Sequence, residues 1–279
     1  MIDWTIILLG WLGLVFSFAL GWRWGVKHRN AGIVDVLWAF TLAGLVGWYA
    51  LAGSGEGGRR LLIGLCTGLW GLRLGWHILR RLRGDGEEDP RYAFLRSHWG
   101  DSADRNFFFF FQAQGLANVL LALPIHVLMA NPAPFSWWDA VGALVIAGAV
   151  FGERLADEQL VAWKRNPENK GKTCRKGLWA WSRHPNYFFE WVHWLGYPVM
   201  GVALVNAGYG AWWWLTLLGP VVMLALLLRA TGIPYTEKQA LKSRGDNYRR
   251  YQAEVSPFIP WPPRKRASAQ SGEESASPN

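Results

Sequence analysis

Residues 175–191 read RKGLWAWSRHPNYFFEW, which sets Arg183, His184, Asn186, Tyr187 and Glu190 against the start of a long apolar run. Pro185 suits the first turn of a helix, where its missing N–H costs little, and it pushes His184 toward an extended backbone. The pattern predicts Arg183 and His184 just ahead of a helix N-terminus, with Asn186, Tyr187 and Glu190 in its opening turns. Free N–H groups, the helix dipole and a guanidinium together suit an anionic group such as phosphate. Asn186 and Glu190 are four apart and share a face, and Glu190 would accept from a ribose hydroxyl or an amide. The plainer alternative is an interfacial arginine–glutamate pair among belt aromatics.

Further ionisable residues stand on either side. Glu153, Asp157, Leu160 and Lys164 follow helical spacing and would face one cavity. Downstream lie Arg229, Tyr235, Glu237 and Lys238. Ionisable groups at membrane depth are costly and usually face a cavity or a partner, which singles out Asp157, Arg183, Glu190 and Arg229. In the front half, Asp35 sits among apolar neighbours in AGIVDVLWAF. Burial raises a carboxyl pKa, so a protonated Asp35 would donate to a substrate carbonyl. Equally, Asp35 would pair with Arg73 and hold two spans together; the two readings are compatible. Arg73 and His77 are four apart on one helix face, placed either to bind a phosphate or ribose or to relay a proton to Asp35. Tyr92 and His77 are the candidates for an assisting acid. The run Asp85, Glu87, Glu88 and Asp89 reads as a solvated, loop-ordering segment.

Metal chemistry is not expected. The six histidines form no HxxHH or HxxxH pair, and Glu190 with His193 makes a single ExxH, where a carboxylate-bridged di-iron site needs two. Two cysteines, Cys66 and Cys174, make neither a CxxC motif nor a disulfide framework. No GxGxxG turn stands in a strand–helix–strand setting, so a nucleotide would bind by a route other than the dinucleotide fold.

The elements that must position these groups are membrane helices. Of 279 residues, 51% are apolar and only 18% charged, and 20 are tryptophan, a residue that favours membrane interfaces. The apolar residues lie in runs near the ~20 that a crossing helix needs. Seven spans are predicted, at 4–22, 31–52, 60–79, 107–130, 137–157, 187–207 and 211–230, in an all-α polytopic membrane protein. The fifth is the weakest, because Glu153, Arg154 and Asp157 intrude on its end, and a six-span reading with a surface helix there is the alternative. Of 29 lysines and arginines, 26 fall on one side of this topology, and only Arg59 and Arg60 on the other. The positive-inside rule then puts the N-terminus outside and the C-terminus in the cytoplasm. The net charge of +9 reflects that topology and contact with anionic lipid rather than nucleic-acid binding. Residues 1–263 are expected to form one transmembrane domain whose part from about 150 to 263 binds the cofactor. Residues 264–279 lack apolar anchors and are expected to be a disordered polar tail.

GLWAWSRHPNYFFEW, a Trp-rich span, an Arg-ended span and the closing Y..Y...V..FIPW together resemble the steroid 5-alpha-reductase-like superfamily, over nearly the whole chain. Within it the chain looks like a bacterial membrane branch. The superfamily includes sterol reductases, which use NADPH, and isoprenylcysteine carboxyl methyltransferases, which use S-adenosylmethionine; the RHPNY core and FIP ending are shared by both. Carried over by position, the resemblance implies adenine and phosphate contacts at Asp157, Lys164, Asn186 and Glu190, with Arg229 near the phosphates. It implies for Asp35 a place similar to that of the steroid reductases' catalytic glutamate. Two departures stand out. Phe189 occupies a position where many relatives have glycine, and the reductases' catalytic tyrosine falls near Trp70.

The expectation is an NADPH-dependent reductase of a conjugated carbon–carbon double bond in a lipid-soluble, steroid-like or isoprenoid substrate, in a bacterial cytoplasmic membrane. Asp35 would be the acid, assisted by His77 or Tyr92; Arg73, Asp157, Lys164, Arg183, His184, Asn186, Tyr187, Glu190 and Arg229 would hold the cofactor. The alternatives are an S-adenosylmethionine-dependent methyltransferase of a lipid or prenylated thiol, which would need neither Asp35 nor Arg73, and a non-catalytic lipid-binding membrane protein.

Overall fold

A computed structural model describes residues 2–85, 88–230 and 232–264. These are almost entirely helical: α1 Trp4–His28, α2 Ile33–Ala52, α3 Gly57–Asp85, α4 Pro90–Trp99, α5 Ala103–Met129, α6 Trp137–Arg165, α7 Pro185–Asn206, α8 Gly210–Thr216, α9 Leu218–Ala225 and α10 Ile233–Glu254. Among the described residues no strand forms; the one extended pairing is an isolated parallel bridge between Ser182 and Ser256. Glu87 of the acidic run and the expected tail beyond Arg264 lie outside the described residues.

Among the described residues, five helices or helical runs are long and apolar enough to cross a membrane: Trp4–His28, Ile33–Ala52, Gly57–Gly84, Pro90–Met129 and Gly210–Glu254. By that measure the chain is a multi-pass membrane protein. The expected spans at 137–157 and 187–207 correspond to α6 and α7, of 29 and 22 residues, which have the length but not the apolarity. Asp139, Glu153, Arg154 and Asp157 fall within α6, and Glu190 and His193 within α7. The helices outrun the apolar stretches because nothing stops them at the lipid boundary. α1, α3 and α6 continue through basic turns that suit a helix C-terminus.

The chain divides into two compact units. The first contains residues 1–150 and 190–225. In it α2 packs along α3 and also touches α1 and α5. Small residues set the closest approach: a Cβ on Gly142 of α6 would lie 2.6 Å from the Gly196 carbonyl oxygen of α7, so any larger residue would force the helices apart. The loop 131–136 is closed by a buried ion pair. Arg59, 1% exposed, donates to Asp139 at 2.7 and 2.9 Å and to the carbonyls of Asn131, Ala133 and Pro134. Arg60 caps the C-terminal carbonyls of α2 through Ala50, at 2.8 Å, and Gly53. The two basic residues expected alone on their side are therefore both engaged with the protein itself.

The second unit contains residues 151–189 and 226–279. α7 beyond Phe189, α8 and α9 belong to the first unit. Tyr248, Tyr251, Ala240 and Val255 form the small core of the second unit around α10. Phe189 packs in this unit against Gly152, whose missing side chain makes the room: a Cβ there would meet the Phe189 ring at 2.5 Å.

Candidate functional site

In the first unit the chemistry gathers where α4 begins. Asp89 caps α4 by accepting from the Arg91 N–H at 2.9 Å, with Pro90 next in the first turn. That start aims Arg91 and Tyr92 at the first turn of α2. Tyr92 Oη donates to Asp35 Oδ1 at 2.7 Å, and Arg91 Nη2 donates to Asp35 Oδ2 at 2.8 Å while Arg91 Nε holds Asp89 at 3.0 Å. Beside them, Arg96 is bidentate to Glu88 at 3.0 and 2.8 Å, and Glu88 accepts from the Ala31 N–H at 2.7 Å. These contacts pin α4 to the entrance of α2. A cavity of about 350 Å³ opens there, lined by Asp35, Glu88, Asp89 and Arg81 together with Ile78, Leu82 and Pro90.

The partner of Asp35 is thus Arg91, which the sequence reading passed over, in place of the expected Arg73. Both carboxylate oxygens accept, one from a cation, so the exchangeable proton beside Asp35 is that of Tyr92. Of the two assisting acids considered, Tyr92 is buried against Asp35 and His77 is exposed on α3. Arg73 is half-buried, within electrostatic reach of His193. His193, entirely buried, bonds Tyr197 Oη at 3.0 Å, which bonds Thr67 Oγ1 at 2.8 Å. Its ring lies 4.6 Å from that of Trp70. His193 and Tyr197 share a face of α7, but the sequence offered little to find Thr67, which reaches them from α3, 130 positions away.

In the second unit the RHPN turn is built on Gly177, whose φ of +58° opens the short helical turn Gly177–Ala180. Ser182 Oγ donates to the Phe258 carbonyl at 2.7 Å and accepts from the His184 N–H at 3.1 Å. The Arg183 N–H reaches the Ser256 carbonyl at 2.8 Å. The expected helix start at Pro185 is that of α7. Arg183, read as a phosphate contact, is engaged elsewhere: Nε donates to Glu237 Oε1 at 2.6 Å, and Nη1 to the carbonyls of Gln252 and Val255 at 2.7 and 3.0 Å. His184 Nε2 lies 3.3 Å from Glu237 Oε1, and Gln252 donates to Oε2 at 2.8 Å. Burial works to raise the Glu237 carboxyl, but the His184 hydrogen bond, the Arg183 charge and the Gln252 amide outweigh it and hold it down at about 2. Burial pushes the His184 imidazole below its ordinary value against the opposing pull of Glu237, so the ring is neutral and donates from Nε2.

Asn186 and Tyr187 lie in the first turn of α7. Asn186 Nδ2 donates to Asp157 Oδ1 at 3.2 Å, two residues paired across the 29 positions that separate them. The carboxylate can only accept, which fixes the amide with its oxygen facing away, and that buried Oδ1 has no hydrogen-bond partner among the described residues. Tyr187 Oη lies 3.1 Å from Thr236 Oγ1, its ring stacked with that of His184 at 5.4 Å. Glu190 is half-buried one turn beyond Asn186 on α7, in the part of that helix assigned to the first unit. Lys164 and Arg229 are exposed, the latter in the π-helical turn Leu226–Ala230.

The family model described as "Protein of unknown function (DUF1295)" matches residues 21–255. An uncharacterized protein of Schizosaccharomyces pombe is 30% identical over 286 aligned positions, covering 89% of this chain and 79% of its own length. No solved structure matches.

Proposed function

The chain belongs to the DUF1295 family, and from that premise we propose that it is an NADPH-dependent membrane reductase of the steroid 5-alpha-reductase-like superfamily, acting on a conjugated double bond of a lipid-soluble carbonyl compound. The observation that carries the reading is the 2.7 Å hydrogen bond by which the buried Tyr92 holds Asp35, a residue that lines the 350 Å³ cavity. Such a reduction needs a positioned proton donor; methyl transfer from S-adenosylmethionine does not.

The residues of the second unit fit the cofactor. The buried Asn186 Oδ1 offers an acceptor for an adenine amine, and Asp157 offers one for an amine or ribose hydroxyl group. Lys164 and Arg229 would take phosphates, while Arg183, His184 and Tyr187 hold the turn. This unit carries 17 lysines and arginines against nine acids, a balance that favours the polyanionic NADPH over the cationic sulfonium cofactor. NADPH, when bound, supplies a hydride to the β-carbon of the substrate. Tyr92 holds the proton that the α-carbon must receive, and Asp35 fixes the direction of its hydroxyl. Arg91, 5.1 Å from the Tyr92 ring centre and ion-paired to Asp35, offsets the negative charge left on the phenol oxygen until water in the cavity restores the proton. Ile78, Leu82 and Pro90 in the cavity lining suit an isoprenoid or polycyclic body.

The same reading takes the seven-crossing topology, N-terminus outside, in a cytoplasmic membrane of the bacterial kind. The engagement of Arg59 and Arg60 with protein carbonyls and Asp139 supports it, since neither then opposes the basic excess on the other side. Titration of the purified protein with NADPH and with S-adenosylmethionine, followed by enone-dependent NADPH oxidation, tests the assignment. Binding of S-adenosylmethionine alone would sink it and remove Asp35 and Tyr92 from the chemistry.

A further inference from the structure

Trp181, Ile259 and Trp261 are 48, 56 and 69% exposed, yet the backbone that carries them is tied down. The Trp261 N–H donates to the Trp181 carbonyl at 2.9 Å, and the Arg264 N–H to the Glu254 carbonyl at 2.8 Å. The second bond draws the ends of residues 255–263 together into a closed loop. Within it Val255 and Phe258 turn inward, at 6 and 7% exposure, while Ile259 and Trp261 turn out. The loop VSPFIPWPP has no charged residue, and exposed arginines flank it in sequence, Arg249, which pairs with Asp246 at 2.8 Å, and Arg250 on α10 before it and Arg264 after it.

Large apolar side chains fixed outward on a basic surface mark a face that something covers. Indole rings prefer the boundary between headgroups and acyl chains, and guanidinium groups select phosphates. A bilayer is always beside this chain, because its own helices cross one. We propose that the loop 255–263, with Trp181, binds the headgroup layer of an anionic phospholipid membrane. Arg249, Arg250 and Arg264 meet the phosphates, and the three apolar side chains enter the acyl boundary. The Val255 carbonyl is one of the groups that hold Arg183, so lipid at this loop also steadies the RHPN turn. This inference is independent of the reaction proposed above.

The test uses the full-length protein in nanodiscs of phosphatidylcholine alone or mixed with phosphatidylglycerol, with hydroxyl-radical footprinting read residue by residue by mass spectrometry. Trp181 and Trp261 are expected to oxidise several-fold more slowly in the anionic discs. Replacing Arg249, Arg250 and Arg264 by Gln should erase the difference while leaving the helical circular dichroism unchanged. Equal oxidation in the two lipids overturns the proposal. So does protection that appears in detergent and grows with protein concentration, since a second copy would then cover the loop. Should the triple variant fail to fold, the two-lipid comparison on the unaltered protein decides alone.

Discussion

At the residue scale the proposed chemistry depends on two carboxylates with opposite tasks. Asp35 directs a proton that sits on Tyr92, so Tyr92→Phe should lower enone reduction by about 10²–10⁴-fold, the usual yield of a positioned acid. NADPH affinity should stay unchanged, as steady-state rates and a binding titration on the same sample would show. His77→Ala is expected to leave the rate near that of the unaltered protein, because its side chain is exposed on α3. Glu237 gathers Arg183, His184, Gln252 and the Tyr248 hydroxyl on its two oxygens. Glu237→Gln leaves the nearly buried Arg183 without its counter-charge and should lower stability by about 3 kcal/mol, read as a fall in the thermal midpoint. The sign of the pH dependence follows from the same node. Both Glu237 and His184 hold protons less well folded than unfolded. Stability should therefore be full above pH ~6.5, begin to fall as the unfolded chain's histidine gains its proton, and fall further from about 4.5 toward 2. A thermal midpoint that rises on acidification through this window would contradict the arrangement.

At the scale of elements, α4 is the part whose placement matters most. It is ten residues long, started by Asp89 and Pro90 and tied to α2 by the Arg91 and Arg96 ion pairs. Asp89→Ala removes the cap and one partner of Arg91, a loss of about 1 kcal/mol for the cap alone. Amide hydrogen exchange over residues 90–99 should rise, and enone reduction should fall without any change in NADPH binding. The start of α7 was legible because Pro185 declares a first turn, and the long apolar runs declared α1, α2, α3 and α5. What the pattern did not disclose was that α4 stands apart from α5 as a polar helix. Its stretch carries no periodic apolar face, and its stability comes from a cap and ion pairs made to distant residues. Gly177 belongs to the same class: only the folded chain shows that φ of +58° is required there.

At the scale of the whole molecule the charge distribution is the decisive property. Nearly all of the net +9 falls in the second unit, which should make nucleotide binding salt-sensitive: NADPH affinity is expected to fall as salt rises, while the thermal midpoint changes little. Single cysteines placed at Gly208 and Lys242 should be labelled by a membrane-impermeant maleimide in intact cells only at Gly208. Labelling at Lys242 instead would invert the proposed topology.

The sequence by itself determined the class of molecule, since helix length and apolarity answer directly to bilayer thickness, and it marked the RHPNY turn and Asp35 as costly places for polar groups. It could not apportion their partners. Arg183 was read toward phosphate or an interfacial glutamate and is held by Glu237; Asp35 was read toward a substrate carbonyl or Arg73 and is held by Arg91 and Tyr92. Each of those pairings joins residues more than 50 positions apart, through geometry that exists only after the helices pack. A charge in a sequence announces that it needs a partner, but only tertiary structure, by excluding water from the alternatives, decides which partner it gets.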